Sequence, residues 1–158
     1  DGSIAMLMRS WDEKILWQSH SCDRGDTWSP ASATDIPSPS TKNLLLRAPD
    51  GMIFLIHSPM KERRGKLSLW VSGDDMNSWC DKMDLVTDDA RNLNYPDGFI
   101  DEDGNIDFVF EDALCVYRMR IINRWKRSAM SEACSTHKIR PGNGVEESGG
   151  SEKNGIIS

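Results

Sequence analysis

Short apolar, β-prone runs recur along the chain, each set off by a polar turn. Three of them open with one phrase: Asp1-Gly-Ser-Ile-Ala-Met-Leu-Met, Asp50-Gly-Met-Ile-Phe-Leu-Ile-His and Asp103-Gly-Asn-Ile-Asp-Phe-Val-Phe, with starts 49 and 53 residues apart. Asp and Gly tolerate the positive φ of tight hairpins, so each phrase predicts a turn feeding a strand. Other short runs flank these copies. Residues 43–48 and 95–101 precede the second and third, and residues 14–19, 66–72 and 113–121 follow the three in turn. The last of these ends in clear alternation, Leu114-Cys-Val-Tyr-Arg-Met-Arg-Ile.

A second phrase follows each of the first two turns: Ser21-Cys-Asp-Arg-Gly-Asp-Thr-Trp28 and, 51 residues later, Ser72-Gly-Asp-Asp-Met-Asn-Ser-Trp79. Ser, Asp and Trp hold the same places in both. That pattern suits a turn whose Asp carboxylate accepts hydrogen bonds from its own loop while the Trp covers neighbouring strands. Met76 stands where the first copy has Gly25, so the second turn is expected to be distorted or closed differently.

One period of about fifty residues therefore reads strand, Asp-Gly turn, strand, loop, strand, Ser-x-Asp box, strand. Four short antiparallel strands per period is the pattern of a β-propeller blade. A ten-stranded sandwich would match the strand number but leave the period unexplained. The expected fold is all-β: the last three strands of one blade (1–35), a complete blade (42–87) and the first three strands of another (94–122), about two and a half blades of four-stranded antiparallel sheet. A closed propeller needs at least about four blades. Together with a start at Asp1, this predicts a piece of a longer chain whose missing blades are its first partners. Beyond residue 122 the repeat stops. Arg124-Trp-Lys-Arg127 is basic, residues 141–158 are rich in Gly, Ser, Asn and Glu, and 123–158 is expected to be a disordered tail.

The chain's 158 residues carry 19 basic and 25 acidic side chains, a net charge of −6. Diffuse attraction to nucleic acid or an anionic membrane is excluded on that balance, so any bound anion must be held by a few placed arginines. No apolar run approaches the roughly 20 residues of a membrane-spanning helix. The four cysteines show no metal-ligand spacing, and neither a metal nor a cofactor is expected.

The phrase at 21–28 resembles the Asp box of the sialidase (neuraminidase) superfamily, built on bacterial neuraminidase repeats. That resemblance implies a six-bladed propeller in which Ser21, Asp23, Gly25, Thr27, Trp28, Ser72, Asp74 and Trp79 are structural box residues. Three further phrases resemble sialidase site segments. The first, ending in Arg9-Ser10, and Arg64-Gly-Lys-Leu67 correspond to segments that present two of the three arginines clamping the substrate carboxylate. Asn94-Tyr95-Pro96 falls where sialidases carry the catalytic tyrosine, although those enzymes generally have Ser where Pro96 stands. The resemblance implies a glycan ligand ending in a sialic-acid-like sugar. The general acid, the base and the first arginine would lie before Asp1.

Strand order alone tests whether these residues can meet. In an antiparallel meander the Asp-Gly turns and the boxes lie at one end of each blade. Arg9, Arg64 and Tyr95 fall at the other, joined by Asn43, Glu62, Arg63, Glu111 and Asp112. Two arginines can bind one carboxylate with forked geometry. A neutral phenol is a sensible nucleophile at an anomeric carbon that already bears a carboxylate, given a base to take its proton. Arg9 has Asp12 and Glu13 as alternative partners, and Arg63 rivals Arg64. The function expected is a sialidase-like glycoside hydrolase, inactive as an isolated chain. Its rivals are a non-catalytic propeller that binds carbohydrate or protein, and a glycosidase of other specificity.

Overall fold

The computed structural model describes residues 2–88 and 90–125. It holds ten strands, β1 (Ile4–Arg9), β2 (Ile15–Ser21), β3 (Ser32–Pro37), β4 (Leu44–Arg47), β5 (Ile53–His57), β6 (Lys66–Ser72), β7 (Asp81–Thr87), β8 (Leu93–Ile100), β9 (Ile106–Asp112) and β10 (Cys115–Ile121), and no helix among these residues. They form three antiparallel meanders in chain order: β1-β2-β3, β4-β5-β6-β7 and β8-β9-β10. We call these sheets 1, 2 and 3. Most of the polar tail expected at 123–158 lies outside the described residues, but packing runs on past residue 122. Trp125 Nε1 donates to Asp81 at 2.6 Å, and its ring meets Phe54 edge-on with centroids 5.7 Å apart.

The second and third Asp-Gly phrases form the expected hairpins. Gly51 N donates to the Ala48 carbonyl and Ala48 N to that of Met52; Gly104 and Asp101 repeat the pattern with Asp101 and Asn105. Gly51 and Gly104 have φ of 89° and 83°, the left-handed residue that closes a three-residue hairpin loop.

Sheet 2 is buried on both faces, and side-chain alternation splits it between two cores. Phe54, Ile56, Leu67, Leu69 and Val71 point toward sheet 3, where they meet Leu93, Ile106, Phe108 and Phe110. Leu55 and Trp70 point toward sheet 1 and meet Leu16 and Ile36. Burying each such side chain contributes about 2 kcal/mol. The outward faces of sheets 1 and 3 stay partly open, with Ile4, Met6, Phe99, Val109 and Val116 exposed.

The two boxes close with the same hydrogen bonds. Ser21 Oγ accepts from Gly25 N at 2.8 Å, as Ser72 Oγ does from Met76 N at 3.0 Å. Asp23 accepts from Thr27 N and Oγ1 at 2.9 and 2.6 Å; Asp74 accepts from Ser78 N and Oγ at 2.9 and 2.7 Å. Thr27, with help from Ser21, thereby holds the Asp23 carboxyl down at about 2. The expected distortion at Met76 does not occur. Met76 instead adopts Gly25's left-handed conformation, with φ of 66° against 99°, and bears the steric cost. Cys22 and Cys115 carry free thiols.

His57 ends β5 with 2% of its surface exposed, its ring edge-on to Trp70 at 4.6 Å. No hydrogen bond of ordinary geometry reaches either ring nitrogen, and the nearest acceptor is the Pro37 carbonyl. Burial pulls its pKa from 6.5 to about 3; the Pro37 carbonyl opposes that fall and Lys82 adds to it.

Two outcomes follow from these strained and buried groups. Met76→Gly relieves a left-handed non-glycine residue and should raise stability by about 1 kcal/mol, seen as a higher urea midpoint. As pH falls from 6.5 toward 3 the unfolded chain takes up a proton at His57 that the folded chain refuses, so stability drops by up to about one proton's slope. In His57→Phe the denaturation midpoint should depend less on pH across that window. An unchanged pH profile would show that His57 is not held neutral.

Candidate functional site

The end of the sheets that carries the boxes is tied together by its own contacts. Arg24 N donates to the Gly2 carbonyl at 3.2 Å, and Arg47 pairs with Asp75 at 2.7 Å. The first two Asp-Gly turns therefore each sit beside a box, and the ends of β1 and β5 emerge at the opposite edge.

Arg9 and Arg64 converge there. Arg9, the last residue of β1, and Arg64, in the loop between β5 and β6, both donate to one acceptor, the Ser40 carbonyl, at 3.4 and 3.2 Å. Ser40 belongs to the buried connection from sheet 1 to sheet 2, and its φ of 62° is left-handed. Arg64 also donates to Asn94 Oδ1. Asn94 is 6% exposed; its amide nitrogen is fixed by the Asn92 carbonyl at 2.9 Å, and Thr41 Oγ1 adds a longer bond to its oxygen.

The charge balance here is unusual. Arg47, Arg91, Arg118 and Arg120 each have a carboxylate within 3.4 Å. Arg9 and Arg64 form no ion pair among the described residues, and the acceptors that hold them are neutral. Asp12 and Glu13 do not take Arg9: Glu13 accepts from Trp17 Nε1 at 2.6 Å instead. Two cations held beside each other by uncharged oxygens leave their attraction for an anion unspent.

Tyr95 lines a pocket with Arg9, while Arg64 is linked to it through the preceding residue, Asn94. It does not open its strand as the sequence suggested but sits inside β8, at an irregularity in the pairing with β9 between Asn94 and Asp97. Its φ is 47°, an uncommon conformation for an aromatic residue, and 41% of its surface is exposed. Leu7, Arg9, Lys42, Asn43 and Tyr95 line a pocket of about 340 Å³. Lys42 bridges to Asp97 at 3.0 Å and keeps that carboxyl below the ordinary range. Larger hollows of about 550 and 860 Å³ lie beside the boxes, but neither holds an arginine without a carboxylate partner.

The other predicted residues take less central places. Glu111 is exposed on β9, in register with Asn94; Asp112 pairs with Arg91 at 3.4 Å. Glu62 and Arg63 are exposed in the loop before Arg64. Sequence reasoning missed Ser40, Lys42 and Asn94 as parts of the site. Asn94 was in view only as the neighbour of Tyr95, and nothing local marks Ser40, whose partners lie 31 and 24 residues away. Trp11, 78% exposed in the loop after Arg9, was also unremarked.

The comparisons agree with this geometry at the level of the fold. A family model described as a BNR repeat-like domain matches residues 1–108. No curated protein matches the chain at a significant level. Among solved structures, a leech intramolecular trans-sialidase, complexed with 2,7-anhydro-Neu5Ac prepared by soaking with 3'-sialyllactose, is similar at a TM-score of 0.61 and 17% identity. The match covers 84% of this chain and 23% of the leech protein, so the chain spans less than a quarter of that relative's length. With the repeated hairpins, the two boxes and three consecutive antiparallel sheets, these matches establish that the chain belongs to the BNR repeat-like family and is part of a sialidase-type β-propeller.

Proposed function

We propose that the Arg9–Arg64 face binds the carboxylate of an acidic sugar at the end of a glycan. In this reading the whole propeller is a sialidase-like glycoside hydrolase. The observation that carries it is the convergence of two guanidiniums, one from each of two adjacent sheets, on the Ser40 carbonyl without a carboxylate partner among the described residues. A sugar carboxylate can replace the carbonyl as the shared acceptor and accept from both forks at once. Tyr95, exposed and held out by its left-handed backbone, is the group positioned to attack an anomeric carbon bound there. The second clamp partner of its chemistry, the base that takes the phenol proton, is assigned to blades outside these three sheets, as are the general acid and a further arginine. The ligand of the structurally similar leech protein is consistent with the choice: that protein was solved in complex with 2,7-anhydro-Neu5Ac.

A second reading, a propeller that binds the sugar without cleaving it, is favoured by one feature. No group among the described residues hydrogen-bonds to the Tyr95 hydroxyl, and Glu111 stays exposed at a neighbouring strand.

Release of a fluorogenic sialoside by the full-length protein that carries this chain separates the two. Hydrolysis is expected, with Tyr95→Phe lowering kcat by at least about a hundredfold. Full turnover in Tyr95→Phe would remove the tyrosine from the mechanism, and no turnover by the folded wild type would leave the binding reading. Titration with free sialic acid should show Arg9→Ala weakening affinity by about tenfold or more. Unchanged affinity would remove Arg9 from the site.

A further inference from the structure

Asn94 stands where a carboxylate would be the ordinary partner of a half-buried arginine. It is 6% exposed, its amide is oriented by the Asn92 carbonyl at 2.9 Å, and its oxygen accepts from Arg64. Asparagine and aspartate have nearly the same shape, and either could accept that bond. They differ in charge. An aspartate here would neutralise Arg64 in a poorly solvated setting, where a pair of opposite charges interacts several times more strongly than in water. The asparagine fixes the guanidinium's position and leaves its charge available. Ser40 does the same for both arginines through a backbone carbonyl, which cannot acquire a charge.

We propose that Asn94 is a positioning residue whose neutrality sets the anion affinity of the Arg9–Arg64 site. The proposal rests on the carboxylate-binding reading given above and deepens it. Asn94 touches no ligand in this account. It acts through Arg64, and it also anchors the strand irregularity that turns Tyr95 outward, since Tyr95 follows it directly.

The effect of charge can be separated from the effect of shape. Removing the bond in Asn94→Ala leaves Arg64 on the Ser40 carbonyl in neutral surroundings, so affinity should fall by only about threefold. The near-isosteric Asn94→Asp keeps the acceptor for Arg64, loses the donor to the Asn92 carbonyl and adds a charge, so affinity should fall by about tenfold or more. A role in structure alone predicts that affinity follows the loss of melting temperature in each variant, Asn94→Asp included, because that substitution also gives up the amide's bond to the Asn92 carbonyl.

The test is isothermal titration of free sialic acid into the full-length protein and its Arg64→Ala, Asn94→Ala and Asn94→Asp variants, with thermal melting of each to register folding. The expected order of affinity is wild type, then Asn94→Ala, then Asn94→Asp. Loss of binding in Arg64→Ala with wild-type affinity in Asn94→Asp would overturn the role of Asn94 and leave the carboxylate site standing. Unchanged binding in Arg64→Ala would overturn the carboxylate site itself. Should Asn94→Asp fail to fold, wild-type affinity in Asn94→Ala overturns the proposal, and a weakened but folded Asn94→Ala supports it.

Discussion

Burial of both faces of sheet 2 is the constraint on which the other features depend. A strand sends successive side chains to opposite sides. In β5, which is buried at every position, Phe54 and Ile56 must therefore fill one interface while Leu55 fills the other. Sheets 1 and 3 are locked to sheet 2 by those two cores, and their relative placement follows. Arg9, at the end of a sheet 1 strand, can share the Ser40 carbonyl with Arg64 from a sheet 2 loop, and Arg64 can reach Asn94 in sheet 3, only because these interfaces hold the three ends together. A cavity opened at Leu55 or Phe54 would be felt at the arginine pair before any residue there was changed.

Meander topology then divides the work between two ends. At one end the first two Asp-Gly turns each lie beside a box, and polar groups are satisfied mainly within their own loops. Asp23 and Asp74 take donors from four residues downstream and keep their charge easily. The other end is built from long-range contacts between sheets, through Ser40, Thr41 and Asn94. Strain appears at both ends, with different consequences. At Met76 the left-handed backbone only completes a turn that glycine would complete at lower cost, whereas at Tyr95 it sets the direction of an exposed phenol.

What the sequence makes legible follows the same division. The hairpins and boxes can be read from it because their geometry is local: Asp50-Gly and Asp103-Gly encode positive φ, and Ser21 and Asp23 find their partners within a few residues. The period and the three groups of strands follow from counting these marks. The arginine end is legible only as a set of residues sharing an edge, because strand direction gives the edge and says nothing of partners. Ser40 contributes a carbonyl that any residue would have, and its left-handed φ carries no glycine to mark it. The reading of Met76 erred in assuming that a side chain forbids the glycine conformation, when the box's hydrogen bonds outweigh a cost of about 1 kcal/mol.

The arginines also show how a chain with a net charge of −6 can present an anion site at all. Acidic side chains outnumber basic ones, and Arg47, Arg91, Arg118 and Arg120 already have carboxylates beside them. A cation stays available only where the fold keeps acids away and still satisfies the donors. Carbonyl and amide oxygens meet both conditions, since they accept hydrogen bonds without contributing a full negative charge. Such acceptors must come from buried, fixed backbone and from a residue like Asn94 whose own amide is tied down, because a mobile acceptor would let the guanidinium swing toward the nearest acid. The burial of the connection at 38–41, which places Ser40 between sheets 1 and 2, is thus the structural condition for the charge that the site displays.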